Sequence, residues 1–490
     1  MGAGMAIKSY WQNYIGGKFV DSASGKRIAI EDPATGQQIA EIARAEAADV
    51  DRAVQAARAC VESRALVDVR PGKRLRMLNE VAAHLRRRID EIAPVLTLES
   101  GIQLDEAKDE VEVTARYFEY YAGLADKIEG RAIPLGKDFV DYTIPEPHGV
   151  SAHIIPWNFP PELAARGLGP ALAVGNAVVV KSPELDPLAM TYIAEACDAA
   201  GFPAGAVNII AGYGHDAGNA LTAHPGVDQI VFTGSVVTGK AIMHAAAERL
   251  IPAVVELGGK SAGIVLPDAD LEQVAHSVKW GIFYFAGQVC SAQSRLLVHR
   301  SIYDRTVERL RKVVDSLTIG PGMDNHFLTP VISAQQLGRV ESLVESGLKA
   351  GARAVTGGGR VNRPGYFMQP TLLADVRPDM AVMQEEIFGP VLCIQSFDTI
   401  EQAIAIANGT KYGLCAGVYT KDIDRAHWIA TRLVAGQVYV NQWFAGGIET
   451  PFGGVRQSGF GREKGQEAVS SYIRTKNVGI KIVAPDATSA

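Results

Sequence analysis

Short β-rich runs alternate with helical stretches of about 15–20 residues from position 150 onward. A strand, a helix and a further strand in repetition require crossover connections, which are right-handed and place helices on both faces of a parallel sheet. Nucleotides bind such sheets at the carboxyl ends of their strands. The sequence therefore predicts a doubly wound α/β fold, with strands at 150–155, 176–180, 206–210, 228–232 and 253–257.

A second alternating series starts near residue 261 and ends near 440, so the chain of 490 residues is expected to hold two α/β domains. A cofactor and a substrate usually meet in a cleft between domains. Two β-rich segments, 125–148 and 471–483, fit neither series. Because unpaired strands expose their edges, these segments are expected to pair with each other or with another subunit.

The N-terminal third is interpreted as helical, because apolar residues recur there at intervals of three and four. Asp49 and Pro71 stand near two of the predicted helix starts. The arginine run 86–88 is interpreted as a solvated helix face rather than a basic patch, since Asp90 and Glu91 follow it. The predicted helices are 49–62, 71–93 and 103–123.

Charge and hydropathy exclude several classes of partner. A net charge of −6 argues against nucleic acid and against an anionic membrane surface. No stretch approaches the roughly 20 apolar residues of a membrane span, and the start of the chain lacks the apolar core of a secretion signal. The Met-Gly opening lacks the Ser or Thr at position 6 that myristoylation needs, so residues before Met5 are interpreted as extra.

The five cysteines are odd in number and widely scattered, at positions 60, 197, 290, 393 and 415. They form no CxxC pair, and no Cys/His cluster has metal-ligand spacing. The sequence therefore predicts a reduced, cytoplasmic protein without a metal centre.

One cysteine and one glutamate have neighbours that suggest chemistry. Cys290 lies in Phe-Ala-Gly-Gln-Val-Cys-Ser-Ala, and Glu256 precedes it in Val-Val-Glu-Leu-Gly-Gly-Lys. A thiol can attack a carbonyl carbon and a carboxylate can activate water, so the pair would support a covalent two-step oxidation. With Pro-Trp-Asn-Phe-Pro at 156–160 and Glu-Glu-Ile-Phe-Gly-Pro at 385–390, the four blocks in this order resemble the aldehyde dehydrogenase superfamily. The resemblance spans nearly the whole chain, from Tyr14 to Lys476.

The resemblance implies an NAD-dependent oxidation of an aldehyde to a carboxylic acid through a thioester. It assigns Cys290 as the nucleophile, Asn158 as the oxyanion donor together with the Cys290 backbone N–H, and Glu256 as the base. Glu463 resembles a residue that relays protons away from the base, and Lys260 is expected at the surface of the cofactor site.

The resemblance also implies a Rossmann-like NAD-binding domain, a second α/β catalytic domain and a small β-rich oligomerisation segment. The expected boundaries are 1–124 with 149–258 for the first, 259–470 for the second, and 125–148 with 471–490 for the third. A homodimer or homotetramer is expected, and the sequence does not distinguish between the two.

The dinucleotide site has no GxGxxG fingerprint at the expected strand-to-helix turn, which reads Phe232-Thr-Gly-Ser instead. By resemblance, this turn opens the helix beside the pyrophosphate, Lys181 and Glu184 hold the adenosine ribose, and Glu386 binds the nicotinamide ribose. Because Glu184 would repel a 2′-phosphate, NAD is favoured and NADP is the less favoured alternative. The full expected cofactor set is Ile155, Trp157, Lys181, Glu184, Gly214, Phe232, Gly234, Ser235, Thr238, Leu257, Glu386 and Phe388.

Three positions depart from the family pattern. Many members carry a proton-relay lysine nine residues after the oxyanion asparagine, where this chain has Gly167. The usual asparagine before the nucleophile is Phe285, and the usual glycine three residues after it is Gln293. No essential group is lost, but the first departure leaves the proton path from Glu256 open.

The substrate tunnel is expected to be lined by Phe159, Leu163, Arg166, Tyr284, Phe285, Trp443, Phe444 and Phe452. So many rings suit a flat aromatic aldehyde of the benzaldehyde or hydroxybenzaldehyde type, although core packing would also explain several of them. Arg166 would pair either with a carboxylate or phenol oxygen of the substrate, or with Glu162 or another acid of the wall.

Three other functions stay open at this stage. The first is oxidation of a carboxylate-bearing semialdehyde such as succinic semialdehyde. Acyl transfer to coenzyme A is disfavoured because such relatives lack a base at the position of Glu256. A purely structural protein is disfavoured because Cys290, Glu256 and Asn158 are all present.

Overall fold

The computed structural model describes residues 7–483. The Met-Gly opening and the last residues of the predicted 471–490 segment lie outside that range. Within residues 7–483 no helix is long and apolar enough to cross a membrane.

The strands of the described range are, in chain order, β1 (Tyr10–Trp11), β2 (Asn13–Ile15), β3 (Lys18–Val20), β4 (Arg27–Asp32), β5 (Gln37–Ala43), β6 (Ala132–Ile133), β7 (Phe139–Pro147), β8 (Val150–Ile154), β9 (Ala177–Ser182), β10 (Val207–Ala211), β11 (Gln229–Gly234), β12 (Ala253–Leu257), β13 (Ala262–Val265), β14 (Arg295–His299), β15 (Arg353–Thr356), β16 (Thr371–Ala374), β17 (Val391–Phe397), β18 (Cys415–Tyr419), β19 (Gln437–Val440), β20 (Gly459–Phe460) and β21 (Ile473–Lys481).

The α-helices are α1 (Ala47–Glu62), α2 (Pro71–Arg87), α3 (Ile89–Ser100), α4 (Leu104–Ala122), α5 (Pro160–Val174), α6 (Met190–Ala199), α7 (Asn219–Ala223), α8 (Val236–Arg249), α9 (Leu271–Val278), α10 (Tyr303–Asp315), α11 (Ala334–Lys349), α12 (Ala381–Gln384), α13 (Ile400–Asn408) and α14 (Ile423–Ala430).

The larger sheet has the strand order β20-β12-β11-β8-β9-β10-β2-β3. Its five central strands are parallel and buried, and they confirm the five strands predicted from the alternating pattern. Numbered along the chain, those five follow the order 5-4-1-2-3, which is the Rossmann order with a switch point between β8 and β11. The predicted doubly wound sheet is therefore confirmed.

The second sheet has the order β15-β16-β17-β14-β13-β18-β19 and is parallel except at the β15–β16 edge. It confirms the second α/β series. One apolar core lies mostly among residues 11–257 and a second among residues 262–433. Each sheet thus has a core of its own, and the segment after β12 leads from one to the other.

The two β-rich segments that fit neither series pair with each other. Strand β21 runs antiparallel to β7 from Ile473↔Pro147 to Lys481↔Phe139, and β6 pairs on the other side of β7. Of the two partners predicted for these segments, the structure of the single chain has the first.

The prediction for the N-terminal third is wrong in two respects. Five short strands, β1 to β5, occupy residues 10–43, and between residue 7 and Ala47 the structure has no helix. The predicted helix 71–93 is two helices, because Arg88 leaves helical geometry at φ −113° and ψ 14°. Its guanidinium turns to Glu91 and Glu195 and lies 4.6 Å above the Tyr192 ring, so side-chain contacts outweigh the apolar periodicity.

Candidate active site

A cavity of about 560 Å³ opens at the switch point of the larger sheet, where β8 and β11 end. It brings together eight of the predicted site residues, which come from both cores and from segments more than 200 residues apart. Those eight are Trp157, Asn158, Gly234, Ser235, Glu256, Cys290, Glu386 and Phe388.

Cys290 is a free, half-buried thiol behind a turn of unusual backbone. Phe285 and Ala286 have φ of 44° and 50°, a left-handed conformation that non-glycine residues rarely adopt. A Cβ at Gly287 would lie 2.2 Å from the Gly389 carbonyl oxygen, so only glycine fits there. The chain therefore reaches Cys290 through a strained turn that is held by close contacts.

Burial, and secondly the negative charge of Glu256, raise the pKa of the Cys290 thiol well above its ordinary value. The positive charge of Arg166 acts in the opposite direction. Without ligands the thiol therefore keeps its proton, and a base must remove it before the sulfur can attack.

Asn158 follows β8 and is buried, 5% exposed. Its Nδ2 donates to the Gln288 carbonyl at 3.0 Å, two residues before Cys290. An amide nitrogen carries two hydrogens, so one remains for an oxygen in the cavity that Asn158 lines.

Glu256 lies in β12, and neither of its carboxylate oxygens has a hydrogen-bond partner within residues 7–483. Burial, and then the charge of Glu463, raise the pKa of this carboxyl well above its ordinary range, while Arg166 lowers it. An unpartnered, buried carboxyl beside a thiol can accept a proton from water or from that thiol.

Arg166 and Glu463 form a buried ion pair. Nη1 of Arg166 donates to Oε2 of Glu463 at 3.1 Å, and Nη2 donates to Oε1 of Glu162 at 3.1 Å. The other oxygen of Glu463 accepts from Oγ1 of Thr233 at 3.4 Å. Of the two pairings predicted for Arg166, the ligand-free structure has the one with acids of the wall.

The turn after β11 supports the predicted pyrophosphate site. Oγ of Ser235 accepts from the backbone N–H of Thr238 at 3.2 Å and so caps α8. A Cβ at Gly234 would lie 2.6 Å from the Phe232 ring, and one at Gly239 would lie 2.6 Å from the Leu257 side chain. Phe232 and Leu257 therefore lie beneath the turn and the helix, and the helix start faces the cavity with free N–H groups.

The predicted adenosine-ribose pair is formed, since Nζ of Lys181 lies 2.9 Å from Oε2 of Glu184. The Ile155 backbone N–H donates to the Lys181 carbonyl at 3.1 Å, which ties β8 to β9. Neither Lys181 nor Glu184 lines the cavity at the switch point. Gly214 opens a short π-helical turn, and a Cβ there would meet nothing within 4 Å.

Glu386 lies beside Ile387 of the second core and contacts the segment that follows β12. Its Oε1 accepts from the Gly259 backbone N–H at 3.0 Å, and burial raises the pKa of the carboxyl to about 7. Phe388 lies edge-on to Trp157, with ring centroids 5.2 Å apart. These three side chains bound one end of the cavity.

An aromatic cluster adjoins Cys290. Trp443 and Phe452 are buried there with Tyr439, and Phe444 and Cys290 pack against them. The indole N–H of Trp443 donates to the Ser291 carbonyl at 2.9 Å, one residue after the thiol. The predicted wall residues Trp443, Phe444 and Phe452 are thus brought to the nucleophile.

The remaining predicted wall residues form a second group. Phe159 lies 5.3 Å from Phe285 and 6.0 Å from Tyr284, measured between ring centroids. Leu163 is buried with them. They belong to the core of the larger sheet, as ordinary core packing would also predict.

Two lysines lie near the site, and sequence reasoning missed one of them, Lys464. Nζ of Lys464 lies 5.7 Å from the centroid of the Phe452 ring, and it forms no ion pair within the described range. Lys260, which was predicted at the surface of the cofactor site, is buried, 2% exposed, and its Nζ has no hydrogen-bond partner among residues 7–483. Lys464 directly follows Glu463, and nothing in that dipeptide shows that the chain turns inward at φ 60°.

Comparisons with known proteins show similarity over nearly the whole chain. The model of the aldehyde dehydrogenase family matches residues 19–478. A mitochondrial aldehyde dehydrogenase of Leishmania tarentolae is 43% identical over 467 residues, which cover 95% of this chain and 93% of that protein.

Solved structures agree over the same extent. The NAD⁺ complex of a Bacillus cereus aldehyde dehydrogenase superposes with a TM-score of 0.95 at 40% identity, covering 97% of both chains. The P. syringae indole-3-acetaldehyde dehydrogenase AldA, in complex with NAD⁺ and IAA, gives a TM-score of 0.95 at 38% identity, again covering 97% of both chains.

Proposed function

The chain belongs to the aldehyde dehydrogenase family and is an NAD-dependent aldehyde dehydrogenase; from that premise we propose that it oxidises an aromatic aldehyde to its carboxylic acid through a thioester on Cys290. The observation that carries the hydrolytic outcome is Glu256, whose buried carboxylate has no partner in the described chain and lines the same cavity as the thiol. An enzyme that passes its acyl group to coenzyme A has no need of such a base.

In the first half-reaction Glu256 takes the proton of the Cys290 thiol and releases it before water is activated; the sulfur bonds to the aldehyde carbon, and the carbonyl oxygen takes up the displaced electron pair. The free amide hydrogen of Asn158 and the Cys290 backbone N–H stabilise that oxyanion. NAD, when bound, accepts the hydride that leaves the carbon, and a thioester remains.

In the second half-reaction water hydrolyses the thioester and frees the Cys290 sulfur. Glu256 takes one proton from the water, the water oxygen bonds to the thioester carbon, and the C–S bond breaks with its electron pair on sulfur. The acid leaves with the second water hydrogen, and Glu463 accepts the proton from Glu256.

The cofactor preference follows from Glu184. Its carboxylate accepts hydrogen bonds from ribose hydroxyls and would repel a 2′-phosphate, so we propose NAD over NADP. The ion pair to Lys181 at 2.9 Å leaves that lysine partly neutralised, which weakens the one local attraction for a phosphate.

The aromatic substrate is supported by the cluster beside the thiol. Trp443, Phe444 and Phe452 meet Cys290, and their edges and faces suit a flat ring, since aromatic pairs contribute about 0.5–1.5 kcal/mol beyond area burial. A relative named as an indole-3-acetaldehyde dehydrogenase supports the same substrate class.

A carboxylate-bearing semialdehyde is the second candidate, and Lys464 is the observation that favours it. Its ammonium has no ion-pair partner among residues 7–483 and lies at the Phe452 ring. Burial, followed by the positive charge of Arg166, lowers the pKa of Lys464, so an anion at this point would relieve an electrostatic cost.

Initial rates of NADH formation with benzaldehyde, 4-hydroxybenzaldehyde, succinic semialdehyde and hexanal test the proposal. We expect a ring aldehyde to have the highest kcat/KM, and Asn158→Ala to lose on the order of 10²–10³ in kcat. The second candidate would be established instead if succinic semialdehyde had the highest kcat/KM and if Lys464→Met raised the KM for that substrate and for no other. Cys290→Ala is the inactive control.

We also propose the division into an NAD-binding domain (1–124 and 149–258), a catalytic domain (259–470) and an oligomerisation segment (125–148 and 471–490). The two separate apolar cores and the β7–β21 pairing support it. The described part of this division is residues 7–483.

A further inference from the structure

The Arg166–Glu463 ion pair lies at the point where this chain departs from the family pattern. Arg166 is on α5 with its side chain 9% exposed, and that of Glu463 is 7% exposed. The guanidinium carbon also lies 5.2 Å from the centroid of the Phe452 ring. Because little water reaches a charge pair this enclosed, the two side chains keep the hydrogen bond to each other and its geometry is well defined.

Gly167 cannot be replaced by a lysine in this fold. A Cβ at Gly167 would lie 2.6 Å from Nδ1 of His153 and 3.2 Å from the Tyr472 hydroxyl oxygen. His153 is buried, and burial lowers its pKa to about 3, so the ring is neutral and supplies no charge. The space in which a relay lysine would start is filled, and Arg166 is the cation that reaches Glu463 within the described chain.

The ion pair lies next to the base. Thr233, which donates to Glu463, is the direct strand partner of Glu256 across β11 and β12. Cys290, Glu386, Glu463 and Arg166 are the charged or titratable groups that act on Glu256. The phenols of Tyr117, Tyr121 and Tyr472 surround the ion pair itself.

We propose that Arg166 is a positioning residue that replaces the missing lysine: it holds Glu463 as the acceptor of the proton that Glu256 takes from the hydrolytic water. The inference rests on the proposed hydrolytic function. Nη1 and Nη2 of Arg166 each donate to a carboxylate of the protein, so the proposal assigns Arg166 to the proton path rather than to a substrate anion, which was the other role expected from its position in the tunnel wall.

This role predicts a defect in hydrolysis that every aldehyde shares. Arg166→Gln should lower kcat about 10-fold or more for hexanal, benzaldehyde and succinic semialdehyde alike. The first-turnover burst of NADH should persist, because thioester formation does not use Glu463. Loss of the positive charge raises the pKa of Glu256, so the acid limb of kcat should move to higher pH.

Three further variants keep the test decisive. Arg166→Lys retains the charge and should recover most of kcat and the wild-type acid limb. Glu162→Gln removes only the other partner of Arg166 and should leave the acid limb in place. Glu463→Gln should reproduce the burst with slow turnover, and combining it with Arg166→Gln should add little.

The outcomes separate the possible failures. A KM increase confined to succinic semialdehyde would make Arg166 a substrate clamp and overturn the inference, as would an unmoved acid limb or a lost burst. If Arg166→Gln fails to fold by circular dichroism, Arg166→Lys and Glu463→Gln still decide it through the same burst and pH profile. A wild type that forms no carboxylic acid from any aldehyde would refute the proposed function instead.

Discussion

Glu386 shows how one carboxyl can give cofactor binding a pH dependence. Its pKa is raised to about 7 by burial. The ionised form accepts hydrogen bonds from ribose hydroxyls at both oxygens, whereas the protonated form has less acceptor capacity. NAD affinity should therefore increase as pH rises through 7, by about 5-fold between pH 6 and pH 8, because a hydrogen bond to a charged group is worth roughly 1 kcal/mol more than one to a neutral group.

Titration of NAD binding by tryptophan fluorescence at several pH values would measure this effect. Glu386→Gln should bind NAD more weakly and lose the pH dependence. Glu401→Gln makes the same change at an exposed residue of α13 and should keep the wild-type slope. An equal slope in Glu386→Gln would assign the titration to another group.

At the residue scale, motifs predicted which residues would come together at the site but not which side chains would contact each other. Cys290, Glu256, Asn158 and Glu386 were all predicted, and the fold brings them to one cavity. The partner of Arg166 could not be chosen from the sequence, because Glu162 is one helical turn away while Glu463 lies in a distant segment. Only tertiary structure decides such a pairing.

The end of strand β12 offers a test at the scale of an element. β12 delivers Glu256 and then Gly258, and a Cβ at Gly258 would lie 2.1 Å from the Glu386 carboxylate. Gly258→Ala should therefore displace that carboxylate and weaken NAD binding about 10-fold or more, since shifts near 1 Å in a binding group have large effects. The Kd for NAD is the measurement.

Gly72→Ala is the matched control for Gly258→Ala. Gly72 lies in the first turn of α2, where a Cβ would meet nothing within 4 Å and the backbone is not left-handed. It should bind NAD like the wild type. Equal affinity in the two alanine variants would mean that Glu386 can move without weakening NAD binding.

Periodicity predicted the elements best where burial is complete. The five central strands of the larger sheet are buried along almost their whole length and flanked by helices, and their predicted and observed bounds agree closely. Strands β1, β2, β3 and β5 are short or have irregular burial patterns, so no period of two signals them, whereas β4 does alternate between exposed and buried residues and was missed. Alternation likewise predicted the doubly wound sheet although the glycine fingerprint is absent, but the order of its strands is known only from the structure.

The β7–β21 pair leaves an apolar face that the single chain does not cover. In this antiparallel register Val140 lies opposite Ile480 and Tyr142 opposite Val478, so these residues share one face. Val140 and Ile480 are 45% and 47% exposed. Farther along the two strands the same face carries Glu146, Arg474 and Lys476, so its apolar part is the end near Val140 and Ile480. The other face carries Asp141, Thr475 and Asn477, with Phe139 at its end.

We therefore expect the whole molecule to be a homodimer or homotetramer that buries this apolar face. Ile480→Glu would place an unpaired charge in the interface, at a cost of several kcal/mol, and should lower the mass measured by light scattering during size-exclusion chromatography. Thr475→Glu introduces the same charge on the opposite face and should keep the wild-type mass. If both variants keep that mass, the subunits associate elsewhere, and a monomeric wild type would remove the need for any interface. Exposed apolar area on a paired, well-formed sheet is otherwise unexplained, because nothing in the β7–β21 register requires Val140 and Ile480 to be apolar.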